Sequence, residues 1–126
     1  MSTPTLTFVD HVGGELAVIA ASLAAARSIS AHAHTTVTPR AISPEAIQVL
    51  REIGAPSPGV ASAFATNTVE GALVELGGHA IANARASLGV KPYDGPGTTA
   101  FGDATLERLA LLRIARDRID AYLDLS

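Results

Sequence analysis

Cysteine is absent from this chain of 126 residues, which excludes disulfides, thiolate metal sites and any thiol nucleophile. An absence of cysteine fits either redox compartment. Cations are scarce: nine Lys and Arg against twelve Asp and Glu leave a net charge of −3, and the pI is near 5.7. Lys91 is the single lysine. No cluster of bases interleaves with aromatics, so no nucleic-acid partner is expected. Long hydrophobic runs are missing too. The longest, around Leu16 to Ala26, falls short of the ~20 residues needed to span a bilayer. The first residues, MSTPTLTF, lack a basic segment followed by an apolar one, and Met1 to Thr5 read as a frayed leader, so a cytoplasmic protein without a membrane partner is expected. What is present is apolar: 48% of residues are hydrophobic and mean hydropathy is +0.30, which excludes a disordered chain. No repeat or linker divides the sequence, and residues 1–126 are expected to form one domain.

The chain is organised around TLTFVDHVGGELAVIAASLAAAR, Thr5 to Arg27. Leu6, Phe8 and Val9 read as strand, Asp10 to Gly14 as loop and Glu15 to Ala26 as helix. Ligands of open α/β sheets bind at such strand ends. A Walker loop needs G-x-x-x-x-G-K-[ST], and Glu15-Leu16-Ala17 offers neither Lys nor hydroxyl; Gly13-Gly14 does not make G-x-G-x-x-G either. No cofactor is therefore expected. A thiol loop of the form Cys-x5-Arg holds an oxyanion on backbone N–H groups at a helix N-terminus. Asp10 and Leu16 stand at that separation here.

Taken in order, Ser28 to Thr36 alternates small apolar residues with polar ones and reads as a second strand, with His32 and His34 on one face. A paired imidazole face can ligate a metal or be structural, and no metal is expected. Ser43-Pro44-Glu45 is a helix start with capping hydroxyl, proline in the first turn and acid, running to Ile53 with Gly54 ending it. The Pro-, Ser- and Gly-rich APSPGVASAFATNT reads as loop. Val69 to Leu76 fits a buried third strand, and Gly77-Gly78-His79 a strand-end loop. Ala80 to Ala86 reads as a short helical connection, Ser87 to Tyr93 as the fourth strand and Asp94-Gly95-Pro96-Gly97 as a tight turn. Asp103 to Leu125 is a long helix.

Four stretches resemble the low-molecular-weight tyrosine phosphatases and thioredoxin-type arsenate reductases. They are the opening strand-loop-helix; SISAHAHTTVTPRAISPEAIQVLREIG; ALVELGGHA; and KPYDGPG with LERLALLRIARDRIDAYL. Together they cover nearly the whole chain. The resemblance implies a single-domain, three-layer α/β/α fold around a four-stranded parallel sheet in the order 2-1-3-4. It also implies a general acid at Asp94, but Gly95 stands here between Asp94 and Pro96, and a residue of the turn is the other reading of Asp94. The catalytic signature departs: Asp10 stands in place of the Cys, Leu16 of the Arg and Ala17 of the following Ser. The family's thiol chemistry is thereby excluded, and fold alone does not carry activity.

The strand-end rule brings the first loop together with those after strands three and four. Asp10, His11, His79 and Asp94 are the candidate catalytic residues, and Val12, Gly13, Gly14, Glu15, Leu16 and His34 the candidate ligand-binding ones. Asp10 and Glu15 would repel a phosphate dianion, so a neutral or cationic small molecule is the expected partner. Glu15 at a helix N-terminus also fits a purely stabilising role. Three functions remain open: an acid–base enzyme of hydrolase, lyase, cyclase or isomerase type using Asp10 with a His partner; a non-catalytic pseudo-phosphatase serving as a binding or regulatory module; and a structural subunit. In the last, the apolar first helix would mediate a homodimer. Asp10 itself has two readings, principal functional residue or cap of the first helix.

Overall fold

The computed structural model describes residues 5–40, 42–55, 60–64, 71–78, 81, 84–90 and 103–125. Strand β1 (Thr5–Asp10) is followed by helix α1 (Glu15–Ala26), β2 (Ser30–Thr35), α2 (Pro44–Arg51), β3 (Ser62–Ala63), β4 (Ala72–Glu75), β5 (Ala84–Ser87) and α3 (Asp103–Leu125). The five strands form one sheet in the order β3-β2-β1-β4-β5, and every neighbouring pair runs parallel. The chain builds outward from β1 through β2 to β3, then returns to the other side of β1 for β4 and β5. The reversal of direction lies at β1, between β2 and β4, where an open α/β sheet leaves a crevice beyond its strand ends.

Leu6, Phe8, Val74 and Leu76 share one face of the central strands and join a single core with Leu16, Ile19 and Leu23 of α1, Val49 and Leu50 of α2, and Leu112 and Ile119 of α3. By the same alternation Thr7, Val9, Leu73 and Glu75 point to the other face, and they are buried as well. The almost uniform apolarity of α1 follows from this position. It is buried from Leu16 to Ala20 and from Ser22 to Ala24, against β1, β2 and both other helices. Charged contacts tie α3 down: Arg27 at the end of α1 pairs with Asp120 at 2.5 Å and with Asp124, and Arg116 donates to the Val49 carbonyl of α2 at 2.9 Å.

Helix α2 starts as its sequence predicts, with Ser43 as cap accepting from Ala46 N at 3.2 Å and Pro44 in the first turn. It ends at Arg51, two residues short of the expected Ile53, and Gly54 turns the chain at φ +71°. Two expectations are corrected. The sheet has five strands rather than four, because Ser62 and Ala63 pair with His34 and Thr35 in a segment expected to be loop. Residues 84–86, expected as the end of a helical connection, belong to β5, which begins three residues before the strand start expected at Ser87. They lie along β4 through an irregularity between Leu73 and Val74, and the pairing runs on through Leu88 N to Glu75 O and Val90 N to Leu76 O. Alanine favours helix locally, but an open edge of β4 with a full row of N–H and C=O groups overrides that weak preference. Among the described residues no helix is long and apolar enough to cross a membrane.

Candidate functional site

The loop after β1 is built on glycine and on one carboxylate. Gly13 and Gly14 hold φ near +98° and +104°, a region that L side chains rarely adopt. A Cβ on Gly14 would also stand 2.4 Å from that of Ala61. With the loop so turned, three backbone N–H groups converge on Asp10. Its Oδ1 accepts from Val12 N at 3.2 Å and Gly14 N at 2.9 Å, and its Oδ2 accepts from Ala17 N at 3.0 Å. Gly14, the capping residue of α1, makes no side-chain cap bond; Asp10 does that work from the strand end. Thr35 Oγ1 takes Gly13 N at 3.1 Å. Asp10 is entirely buried. The N–H groups of residues 12, 13, 14 and 17, which could have met an external anion, are thus already occupied by acceptors of the chain itself.

His11 stands one residue beyond, at the strand ends, with 19% of its side chain exposed. Its Nε2 lies 2.6 Å from Glu75 Oε2 at the end of β4, and its Nδ1 lies 2.8 Å from Thr36 Oγ1 just past β2. Glu75 is fully buried and is held by Gly77 N at 2.6 Å, Gly78 N at 2.7 Å and the Ser87 hydroxyl at 2.5 Å. A carboxylate can only accept, so Nε2 carries the proton that faces Glu75. Nδ1 of a neutral ring then accepts from the Thr36 hydroxyl. Thr36, His11, Glu75 and Ser87 form a hydroxyl–imidazole–carboxylate–hydroxyl row across the ends of β2, β1, β4 and β5.

The other residues singled out from sequence are placed as follows. Glu15 accepts from Ser43 N at 3.2 Å, from the Ser43 hydroxyl and from Arg108 at 3.1 Å, joining the starts of α1 and α2 to α3. Leu16 is 1% exposed and belongs to the core. Val12 packs against that core, partly buried. His34 turns to the sheet edge, with Nδ1 3.3 Å from the Ala63 carbonyl and its ring edge-on to Phe64. His79 and Asp94 lie outside the described residues. Arg40, tied by its N–H to the Gly13 carbonyl at 2.9 Å, lays its side chain over Gly13. Among the described residues no group of three or more His, Asp or Glu is placed to hold a metal ion.

Sequence reasoning named His11 but missed Glu75 and Thr36. Glu75 did carry a signal: a carboxylate inside ALVEL, a strand buried on both faces, has to be paired. Thr36, in the run HTTVT, carried none.

Comparison with solved structures finds the same fold in arsenate reductases. One, described as an arsenate reductase in the phosphate binding state, superposes with a TM-score of 0.68 at 14% identity, over 97% of this chain and 95% of that one. Another, described as an arsenate reductase in reduced state, gives 0.67 at 16% identity with the same coverage. No protein-family model and no curated protein matches the chain. The likeness establishes the fold, the low-molecular-weight phosphatase-like α/β arrangement expected from the sequence.

Proposed function

We propose that this phosphatase-like domain is a non-thiol acid–base enzyme acting on a neutral or cationic small molecule in the crevice beyond β1, β2 and β4. His11, rather than Asp10, is its proton carrier. The observation that supports this is the pair of contacts on one partly exposed imidazole, 2.6 Å to the buried Glu75 and 2.8 Å to Thr36. Glu75 fixes the ring and its tautomer and stabilises the imidazolium that forms when Nδ1 takes a proton. Such a positioned base contributes about 10²–10⁴-fold to a proton transfer. Asp10, enclosed by its own loop, organises that loop. Its charge there disfavours a phosphate dianion, and the absence of cysteine removes thiol chemistry.

A second reading, a non-catalytic binding module, draws on the same Asp10 contacts, since a loop filled by its own carboxylate has exchanged anion capture for a fixed shape. Base-catalysed ring opening of 5-nitrobenzisoxazole separates the two, because this neutral probe needs only a positioned base. Opening above the rate of free imidazole is expected, with His11→Gln lowering it about 100-fold and p-nitrophenyl phosphate left untouched. Opening that is indifferent to His11→Gln in a folded protein would overturn the proposal in favour of the binding module.

A further inference from the structure

We infer that Thr36 is a nucleophile and that the site performs acyl transfer on uncharged esters, an inference that rests on the acid–base reading of His11. Thr36 is exposed at the sheet end, so its hydroxyl is open to a reactant, while its Oγ1 lies 2.8 Å from His11 Nδ1. A hydroxyl nucleophile needs an adjacent base, and the base needs a third group to orient it. Glu75, 2.6 Å from Nε2 and itself fixed by Gly77 N, Gly78 N and Ser87, is that third group. The residue is anchored from behind, since Thr36 N donates to the Asp10 carbonyl at 3.0 Å, so the loop that Asp10 organises also sets the nucleophile's position.

In the first step a bond forms between Thr36 Oγ1 and the acyl carbon while the bond from that carbon to the leaving oxygen breaks. The hydroxyl proton moves to His11 Nδ1 and from there to the departing alkoxide. Water then attacks the acyl-threonine, His11 takes its proton and returns it to Thr36 Oγ1, and acid and alcohol are the products. The N–H groups of residues 12, 13, 14 and 17 are engaged by Asp10 and Thr35. Those four N–H groups do not serve as an oxyanion hole, and Arg40, four residues after Thr36 with its side chain over Gly13, is assigned that charge-stabilising role in the proposal.

The test uses p-nitrophenyl acetate with the full chain, read by the burst of nitrophenolate and by mass spectrometry of the acetylated peptide. Acetyl is expected on Thr36. Thr36→Val should abolish the burst, Thr36→Ser should retain it, and His11→Gln should slow it about 100-fold. Acetyl found on His11 or Lys91 instead, or a burst unchanged by Thr36→Val, would overturn the inference. Ring opening of 5-nitrobenzisoxazole that still depends on His11 would in that case leave the acid–base reading standing; loss of both dependences would remove the two together.

Discussion

Asp10 and Glu75 are two carboxylates at the ends of adjacent strands, both fully buried, and they do different things. Asp10 points to the face covered by α1, and its recorded partners are N–H groups of the following loop and first helical turn. Glu75 points to the opposite face, also collects two loop N–H groups, and passes one oxygen on to an imidazole that reaches solvent. Burial and charge are the same in both. What distinguishes the two is whether the chain of hydrogen bonds ends on backbone or runs on to a titratable, partly exposed imidazole.

That contrast breaks most visibly at Asp10. Asp10→Ala leaves the N–H groups of Val12, Gly14 and Ala17 without their acceptor and should cost about 3 kcal/mol in urea unfolding, since bonds to a charged acceptor are worth about 1.5–3 kcal/mol each and do not add fully. A loss below about 1 kcal/mol would mean that the loop holds itself without the carboxylate. Next comes Gly14→Ala, which forces a side chain into φ +104° and against Ala61; about 2 kcal/mol is expected, and Ala61→Gly in the same chain should recover part of it. No recovery would place the whole cost in the backbone angle.

Glu75→Gln sharpens the other side. The amide keeps the size of the side chain but weakens the hold on the protonated Nε2, so ring opening of 5-nitrobenzisoxazole should fall about tenfold or more with the circular dichroism spectrum unchanged. An unaltered rate would reduce Glu75 to a loop-organising role like that of Asp10. The smallest effect lies far from both. Glu52, paired with Arg113 at 2.5 Å and Arg116 at 2.8 Å, has its carboxyl lowered from 4.5 to about 2, first by the Arg113 hydrogen bond and then by Arg116. A depressed folded value means that its contribution is complete above 4.5 and fades as pH falls towards 2. The difference in Tm between the parent and Glu52→Gln should therefore be small near neutral pH and close in that acid window. A difference that persists below it would not come from the charge.

The limits of α3, the start of α2 and the parallel α/β order around β1 were legible because they rest on local chemistry: helical periodicity, a Ser-Pro-Glu cap, and strands alternating with helices. Residues 84–86 misled because alanine is locally suited to a helix, and only the free edge of β4 made them a strand. The position of the loop between β1 and α1, with His11 in it, was legible from the strand-loop-helix pattern. The division of labour between Asp10 and Glu75 was not.

By itself the sequence determined what this protein lacks and where its first loop lies: without cysteine there is no thiol chemistry, and a strand-loop-helix with paired glycines puts a loop at a strand end. Tertiary structure alone decided which residues meet there. Thr36 and Glu75 lie 25 and 64 residues from His11, and they face the same ring because β2 and β4 flank β1 in register, Val9 opposite both His34 and Glu75. Which side chains meet at that range is set by strand register, which is fixed only when the strands pair.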